Sequence, residues 1–279
     1  MLKLKKFIKI IFKSVFIVVI FAVFAYGLAT ILIQPSNDRN WSTDQAVLPK
    51  IKINRDTVTI EDIRNFTYAS TTSYTPAYYS ASYQRGTVKR VWFIVEPFKG
   101  LGAAHTFLSF EFDDGRYLPI SVEIRKEKGE TFNPILGLMR QYELMYVIGD
   151  EQDLVKLRAN YRHDDVYMYP MKTTKERANE LFEDMLIRAQ ETQASPEFYN
   201  TLTNTCTTNI VDHVNKVYYK RVPFDWSVLF PADADYYAYK LGLIDTNLPI
   251  GKIRGAYRIN DLAERYANDT DFSKRIRGL

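Results

Sequence analysis

An internal disulfide needs two cysteines, and this sequence has one, Cys206, in 279 residues. The fold must therefore hold by packing, hydrogen bonds and charge. The thiol itself is inert, bridged to another molecule, or kept for chemistry. Histidine is almost as scarce: His105, His163 and His213 lie far apart, and with one cysteine they make no metal-ligand spacing. A glycine-rich phosphate loop is also missing, since KGLGAAH at 99–105 lacks the lysine–hydroxyl pair and precedes a strand. Neither a metal nor another cofactor is expected. Repeats and low-complexity runs are absent.

A uniform basic field is missing too. The formal charge of +4 falls to −1 once Lys3, Lys5, Lys6, Lys9 and Lys13 are set aside, which excludes a basic surface for nucleic acid. Those five lysines precede Ser14–Ile33, 20 residues without a charge. At about 1.5 Å per residue such a helix is roughly 30 Å long, enough to cross a bilayer core. Lysines stay on the cytoplasmic side, so the rest of the chain lies outside. A cleaved signal peptide is the competing reading, with Gly27-Leu28-Ala29 as a small-x-small site. The apolar run continues to Ile33 and has the length of a span, which favours an uncleaved anchor. We therefore expect a lysine-rich tip and anchor over 1–34, a polar linker over 35–50 and one exported domain over 51–279. In an oxidising compartment cysteines come in pairs, which makes a single one conspicuous.

Strand and helix patterns alternate through the domain. Lys52–Ile60 reads as a hairpin around Asn54-Arg55-Asp56, and Val88–Phe98 as a strand ended by proline. TPAYYSASYQRG at 75–86 reads as an aromatic loop whose tyrosines, with Tyr74, can rest on a membrane interface or serve as core and rim. His105–Phe112 and Arg116–Arg125 flank Asp113-Asp114-Gly115, a three-residue hairpin loop. Pairing Phe112 with Arg116 puts Leu108, Phe110, Leu118, Ile120 and Val122 on one face. The same register sets His105 opposite Glu123, about 5 Å apart at Cβ. Further on, 151–161 reads as a helix, 164–171 as a strand, and Thr173–Gln193 as an amphipathic helix with a threonine cap.

After Cys206, the residues Ile210, Val211, Val214 and Val217 form a helical stripe, with Asn204 and Thr205 as natural caps. Cys206 thus falls in the first turn of a helix. There the dipole and free N–H groups stabilise a thiolate and can bind an oxyanion. A thiolate nucleophile needs a base. His213 lies about 10 Å along the same helix, and His163 sits in a charged loop, so His105 is the best base. Each feature has an ordinary structural reading as well: a satisfied strand histidine, a cross-strand pair, a helix cap.

The segments AHTFLSFEF, ISVEIRKEKGE, RQYELMYVIGDEQDL, PEFYNTLTNTCTTNIVDHVN and LGLIDT resemble the family long called DUF4105, whose domain is also the periplasmic part of the lipoprotein N-acyltransferase Lnb. The likeness runs over residues 36–275. The family is distantly similar to papain-like thiol enzymes of the NlpC/P60 and lecithin:retinol acyltransferase type, permuted so that the histidine strand precedes the cysteine helix. The resemblance implies an α+β fold: an antiparallel sheet packed on a Cys-bearing helix, behind one transmembrane helix of a bacterial inner membrane. It implies Cys206 as nucleophile, His105 as base and Glu123 as orienting carboxylate. Asn204, Asn200 and Tyr199 follow as oxyanion or positioning residues. The implied reaction takes an acyl group from a phospholipid as a thioester and passes it to an amine, such as a lipoprotein N-terminus at the outer face of the membrane. Lnb carries further spans after this domain, whereas the apolar run here is N-terminal, so a reduced lipid-handling part is expected. A thiol amidase or peptidase, or a non-enzymatic envelope binding module, are the alternatives.

Overall fold

The computed structural model describes residues 2–100, 102–218 and 221–278. The first helix, α1 (Leu2–Leu32), contains the stretch Lys6–Leu28, unburied and long and apolar enough to cross a membrane. It begins before the charge-free run at Ser14 because Phe7, Ile8 and Ile10 to Phe12 place apolar side chains between the lysines. No other described helix meets that test. The segment that follows is fastened to the domain. Trp41 is buried, donates its indole N–H to the Asn37 carbonyl (2.8 Å) and lies under the Arg125 guanidinium at 4.2 Å. Gln45 is buried as well and accepts from the Lys126 amide.

Alternating β-branched and aromatic residues then build two larger antiparallel sheets and one two-stranded pair. Strands β1 (Lys50–Ile53) and β2 (Thr57–Arg64) form the hairpin expected around Asn54–Asp56. A short pair, β3 (Thr67–Tyr68) and β4 (Tyr74–Thr75), precedes β5 (Tyr78–Gln84), which joins β2. The segment read as an aromatic loop is therefore largely a strand, in keeping with the β propensity of tyrosine. Tyr83 packs on Phe112 at 4.5 Å, while Tyr74 and Tyr78 pack around Phe66. These rings line core and rim.

The main sheet holds β6 (Val88–Pro97), β7 (Ala104–Phe112), β8 (Tyr117–Arg125), β9 (Glu143–Ile148) and β10 (Tyr167–Pro170), in the order β10-β6-β7-β8-β9, antiparallel throughout. At the β7–β8 turn the Phe112 amide donates to the Arg116 carbonyl (2.9 Å), and Gly115 sits at φ +83°, a left-handed position that favours glycine. Leu108 pairs with Ile120 and Phe110 with Leu118, the register that the apolar faces require. The β7–β8 ladder stops there. Residues 104–107 pair only with β6, and residues 121–125 only with β9. His105 and Glu123 are thus not ladder partners.

Helices cover both faces of this sheet. They are α2 (Pro134–Leu138), α3 (Glu151–Lys156, continued by a π-helical turn over Leu157–Tyr161), α4 (Lys175–Ala194) and α5 (Cys206–Val217). After these come α6 (Trp226–Leu229), α7 (Ala234–Lys240), α8 (Ile250–Tyr257), α9 (Asn260–Arg265) and α10 (Phe272–Arg275). On one face Leu108, Phe110 and Ile120 meet Phe182 and Met185 of α4 and Ile210 and Val214 of α5. On the other, Trp92, Ile94 and Phe107 meet Val155, Ala159 and Phe272. The architecture is α+β, with the five-stranded sheet between two helical layers.

The second face also buries charge. Asp153 takes two hydrogen bonds from Arg64 (2.9 Å each), one from the Phe66 amide and one from the Tyr68 hydroxyl (2.7 Å). Arg277 grips Glu151, and Arg158 grips Glu96. Removing one partner strands a charge without water, whereas replacing both by apolar groups does not. We expect Asp153→Ala to lower unfolding free energy by about 3–5 kcal/mol. The double variant Arg64→Met/Asp153→Leu should recover part of that loss, since it removes the stranded guanidinium while the Phe66 amide and Tyr68 hydroxyl still lack their acceptor. Denaturant titration of the solubilised full chain measures both, and equal losses in the two would contradict this account.

Candidate active site

Cys206 opens α5, and the preceding loop is built to present it. The Asn200 and Asn204 backbones exchange two hydrogen bonds (3.1 and 2.9 Å). The Asn200 side chain accepts from the amides of Leu202 and Thr203, closing the turn. Asn204 donates to the Phe198 carbonyl (3.0 Å) and accepts from Asn209 (2.8 Å). Both asparagines, expected to position substrate, brace the loop with these side chains. Thr205 and Thr208 form a reciprocal capping box: the Thr208 amide donates to Thr205 Oγ1 (3.2 Å) and the Thr205 amide to Thr208 Oγ1 (2.7 Å). The amides of Cys206 and Thr207 have no partner among the described residues, as at an open helix start.

The thiol is half-buried, with Thr207 Oγ1 at 3.7 Å. Thr207 in turn meets Thr106 of β7, hydroxyl to hydroxyl at 3.0 Å, in a fully buried contact. Tyr199, like Cys206, is partly buried against the core on the α4–α5 side of the sheet. Burial, then the charge of a Cys206 thiolate, pushes its phenol above the ordinary range. A small apolar cleft opens alongside α5, walled by Thr207, Ile210, Val211 and Val214 on one side and Val228 and Ile244 on the other.

His105 follows Ala104 at the start of β7. Its ring stacks on Phe107 (5.6 Å between centroids), and Phe107 belongs to the second face of the sheet. Thr106, one residue on, points to the α5 face, as strand alternation demands. The structure thus brings the neighbours of Cys206 and His105 into contact. It sets the two functional groups on opposite sides of β7, and no hydrogen bond joins them.

Where the β7–β8 ladder is missing, a side-chain relay spans the strands. His105 Nε2 lies 2.7 Å from Ser121 Oγ, and Ser121 donates its hydroxyl proton to Glu123 Oε1 (2.9 Å). Glu123 Oε1 is 3.8 Å from Nε2 and also accepts from Arg158 Nη2 (2.9 Å). Ser121 has one proton, and the carboxylate takes it. Ser121 must then accept from His105, which fixes the neutral ring as the Nε2–H tautomer and leaves the lone pair on Nδ1. Burial, then the Arg158 charge, lowers the His105 pKa to about 3, with Glu123 opposing. Burial by itself raises the pKa of Glu123, but Arg158 foremost, then His105, overcome it and hold the carboxyl well below its ordinary value.

Ser121 and Arg158 escape a reading of the sequence. Ser121 falls on a strand face where any small residue fits. Arg158 carries a faint signal: it lies four residues after Leu154, so a charge occupies the buried side of a helix. His213 is buried, held between Asp184 (2.5 Å) and the Tyr146 hydroxyl (2.7 Å), and ties α5 to α4 and β9. His163 is exposed. Among the described residues no cluster of His, Cys, Asp or Glu can hold a metal ion.

The described residues thus form an α+β domain, with a thiol at a helix start, behind one helix long and apolar enough to cross a membrane. The model of the Lnb N-terminal periplasmic domain matches residues 74–232, more than half of the sequence, and the chain belongs to that family. No curated protein and no solved structure matches it. A periplasmic domain behind one apolar helix fits a single-pass membrane protein.

The neutral imidazole has a measurable signature. Between about pH 6.5 and pH 3 the unfolded chain binds a proton at His105 that the folded chain does not, so stability falls as pH drops through that window. In His105→Gln this contribution is gone. Unfolding free energies measured from about pH 7 to about pH 4 should fall less steeply in the variant. Identical slopes would show that His105 is protonated in the native state.

Proposed function

We propose that this protein is a thiol acyltransferase working at the outer face of a bacterial inner membrane, with Cys206 as nucleophile, His105 as base and Glu123 as the carboxylate behind it. The carrying observation is the half-buried Cys206 at the start of α5, with two open amides beside it, in a chain of the Lnb family. The order of a histidine strand followed by a cysteine helix supports a permuted papain-like arrangement.

The reaction has two halves. The Cys206 S–H proton passes to His105 Nδ1, and the thiolate attacks an acyl ester carbonyl of a phospholipid. The amides of Cys206 and Thr207 take the oxyanion, each such donor contributing about 3 kcal/mol. The ester C–O bond breaks, the lysolipid alkoxide takes the imidazolium proton, and an acyl-thioester remains on Sγ. An amine, in this reading a lipoprotein N-terminus, then attacks the thioester. An amide forms, the C–S bond breaks, and the amine's surplus proton returns through His105 to the thiol. The β7 backbone lies between sulfur and imidazole, and burial beside Arg158 suppresses the ring's basicity where it rests, so proton transfer requires His105 to rotate away from Arg158 and bring Nδ1 to the thiol side through the unpaired stretch between β7 and β8. The apolar cleft whose wall includes Thr207 suits an acyl chain and disfavours a polar peptide.

Wild-type protein incubated with phospholipid should carry a hydroxylamine-labile fatty-acyl adduct on Cys206 by mass spectrometry, and Cys206→Ala none. His105→Ala should slow adduct formation about 10²–10⁴-fold. Unchanged adduct formation in His105→Ala would remove it as base. Absence of any adduct, with release of peptidoglycan fragments instead, would make the protein an amidase. Full function of Cys206→Ser and His105→Ala in cells lacking the wild-type protein would make it a binding module.

A further inference from the structure

Large apolar side chains are exposed mainly at one end of the exported domain. The connections β6–β7 and β8–β9 leave the sheet on the same side, the side where β7 begins and β8 ends. The start of α5 lies there as well, through the Thr106–Thr207 contact. In the β8–β9 connection Phe132, Ile135, Leu136 and Met139 are all exposed. Leu202, at the tip of the loop before Cys206, is exposed beside them, because Thr201 Oγ1 donates to the Pro134 carbonyl (2.7 Å). Trp226 meets Phe224 edge-on and Phe230 at a tilt, all three in the open. They are tied to the β6–β7 connection by the Ala232 amide, which donates to the Gly102 carbonyl (2.9 Å).

The membrane helix meets this same end. Tyr26, inside the last turn of the apolar span Lys6–Leu28, donates its hydroxyl to the Leu138 carbonyl of α2 (3.5 Å). Arg140 donates to the carbonyl of Ile33, just past the end of α1 (3.3 Å). Any bilayer that α1 crosses therefore reaches the level of α2. Apolar side chains at that level, with tyrosine and arginine at the boundary, are what a lipid–water interface selects.

We infer that this end of the domain is a second membrane-contact surface. Here α2, Leu202 and the α6 aromatics sit in the outer lipid interface, so that the Cys206 loop faces the bilayer. This rests on α1 as a span and is independent of the thiol chemistry.

Two measurements on the full chain test it. With Ile135 or Leu202 replaced by photoreactive benzoylphenylalanine in native membranes, irradiation should give lipid adducts by mass spectrometry, and the same replacement at Glu180, exposed on α4, should not. In vesicles containing brominated phospholipid, emission of Trp226 should be quenched; Trp41 and Trp92 are buried. That quenching should be lost in Trp226→Phe. Both results should be unchanged in Cys206→Ala, which separates this surface from the reaction. Protein adducts instead of lipid, no adduct at Ile135 and Leu202, or quenching indifferent to Trp226→Phe would each overturn the inference.

Discussion

Arg158 is the charge around which the second face of the sheet is organised. Its guanidinium is buried over the Phe107 ring and satisfied by Glu96, Glu123 and the Leu154 carbonyl. Glu123 stays ionised because Arg158 is there, Ser121 turns its hydroxyl toward Glu123, and His105 donates to Ser121. One buried cation thus sets a tautomer three groups away. Burial first, and then this same charge, keep the imidazole neutral, since a second positive charge so close costs free energy in a site with little water. The backbone contributes through a π-helical turn at Leu157–Tyr161, an irregularity that re-aims side chains relative to a regular helix.

The thiol side is organised differently, by backbone rather than charge. Asparagine and threonine side chains from 200 to 209 satisfy one another and the turn, so the loop before α5 needs no apolar core of its own. This accounts for a polar neighbourhood around the one cysteine. The residues that surround it in sequence are structural, and the open valences are two main-chain amides. The Thr106–Thr207 hydrogen bond and the packing of Ile210 and Val214 on Leu108 and Phe110 join this side to β7.

Much of this was legible in the sequence because it depends on local periodicity. The 104–125 hairpin follows from a glycine turn and two apolar stripes. Helix α4 follows from its threonine cap and from Ala178, Leu181, Phe182, Met185 and Leu186, all buried. Cys206 at a helix start follows from Thr205 and the stripe after it. What was not legible is non-local. Where a ladder stops depends on twist and on both outer strands, so the register placed His105 opposite Glu123 although Ser121 links them. Alternation alone, applied to Thr106 and Thr207, separates sulfur and imidazole to two faces, but only after the position of α5 is known. The short helices from Trp226 to Arg275 have too few turns to show a period.

The stretch between span and domain has a mechanical consequence. Sixteen free residues, 35–50, could pay out as a leash of roughly 50 Å. With Trp41 locked under Arg125 and Gln45 held by Lys126, most of that slack is taken up. With α1 across a bilayer, a domain held this closely would not swing like a ball on a string but would stay at one height above the lipid.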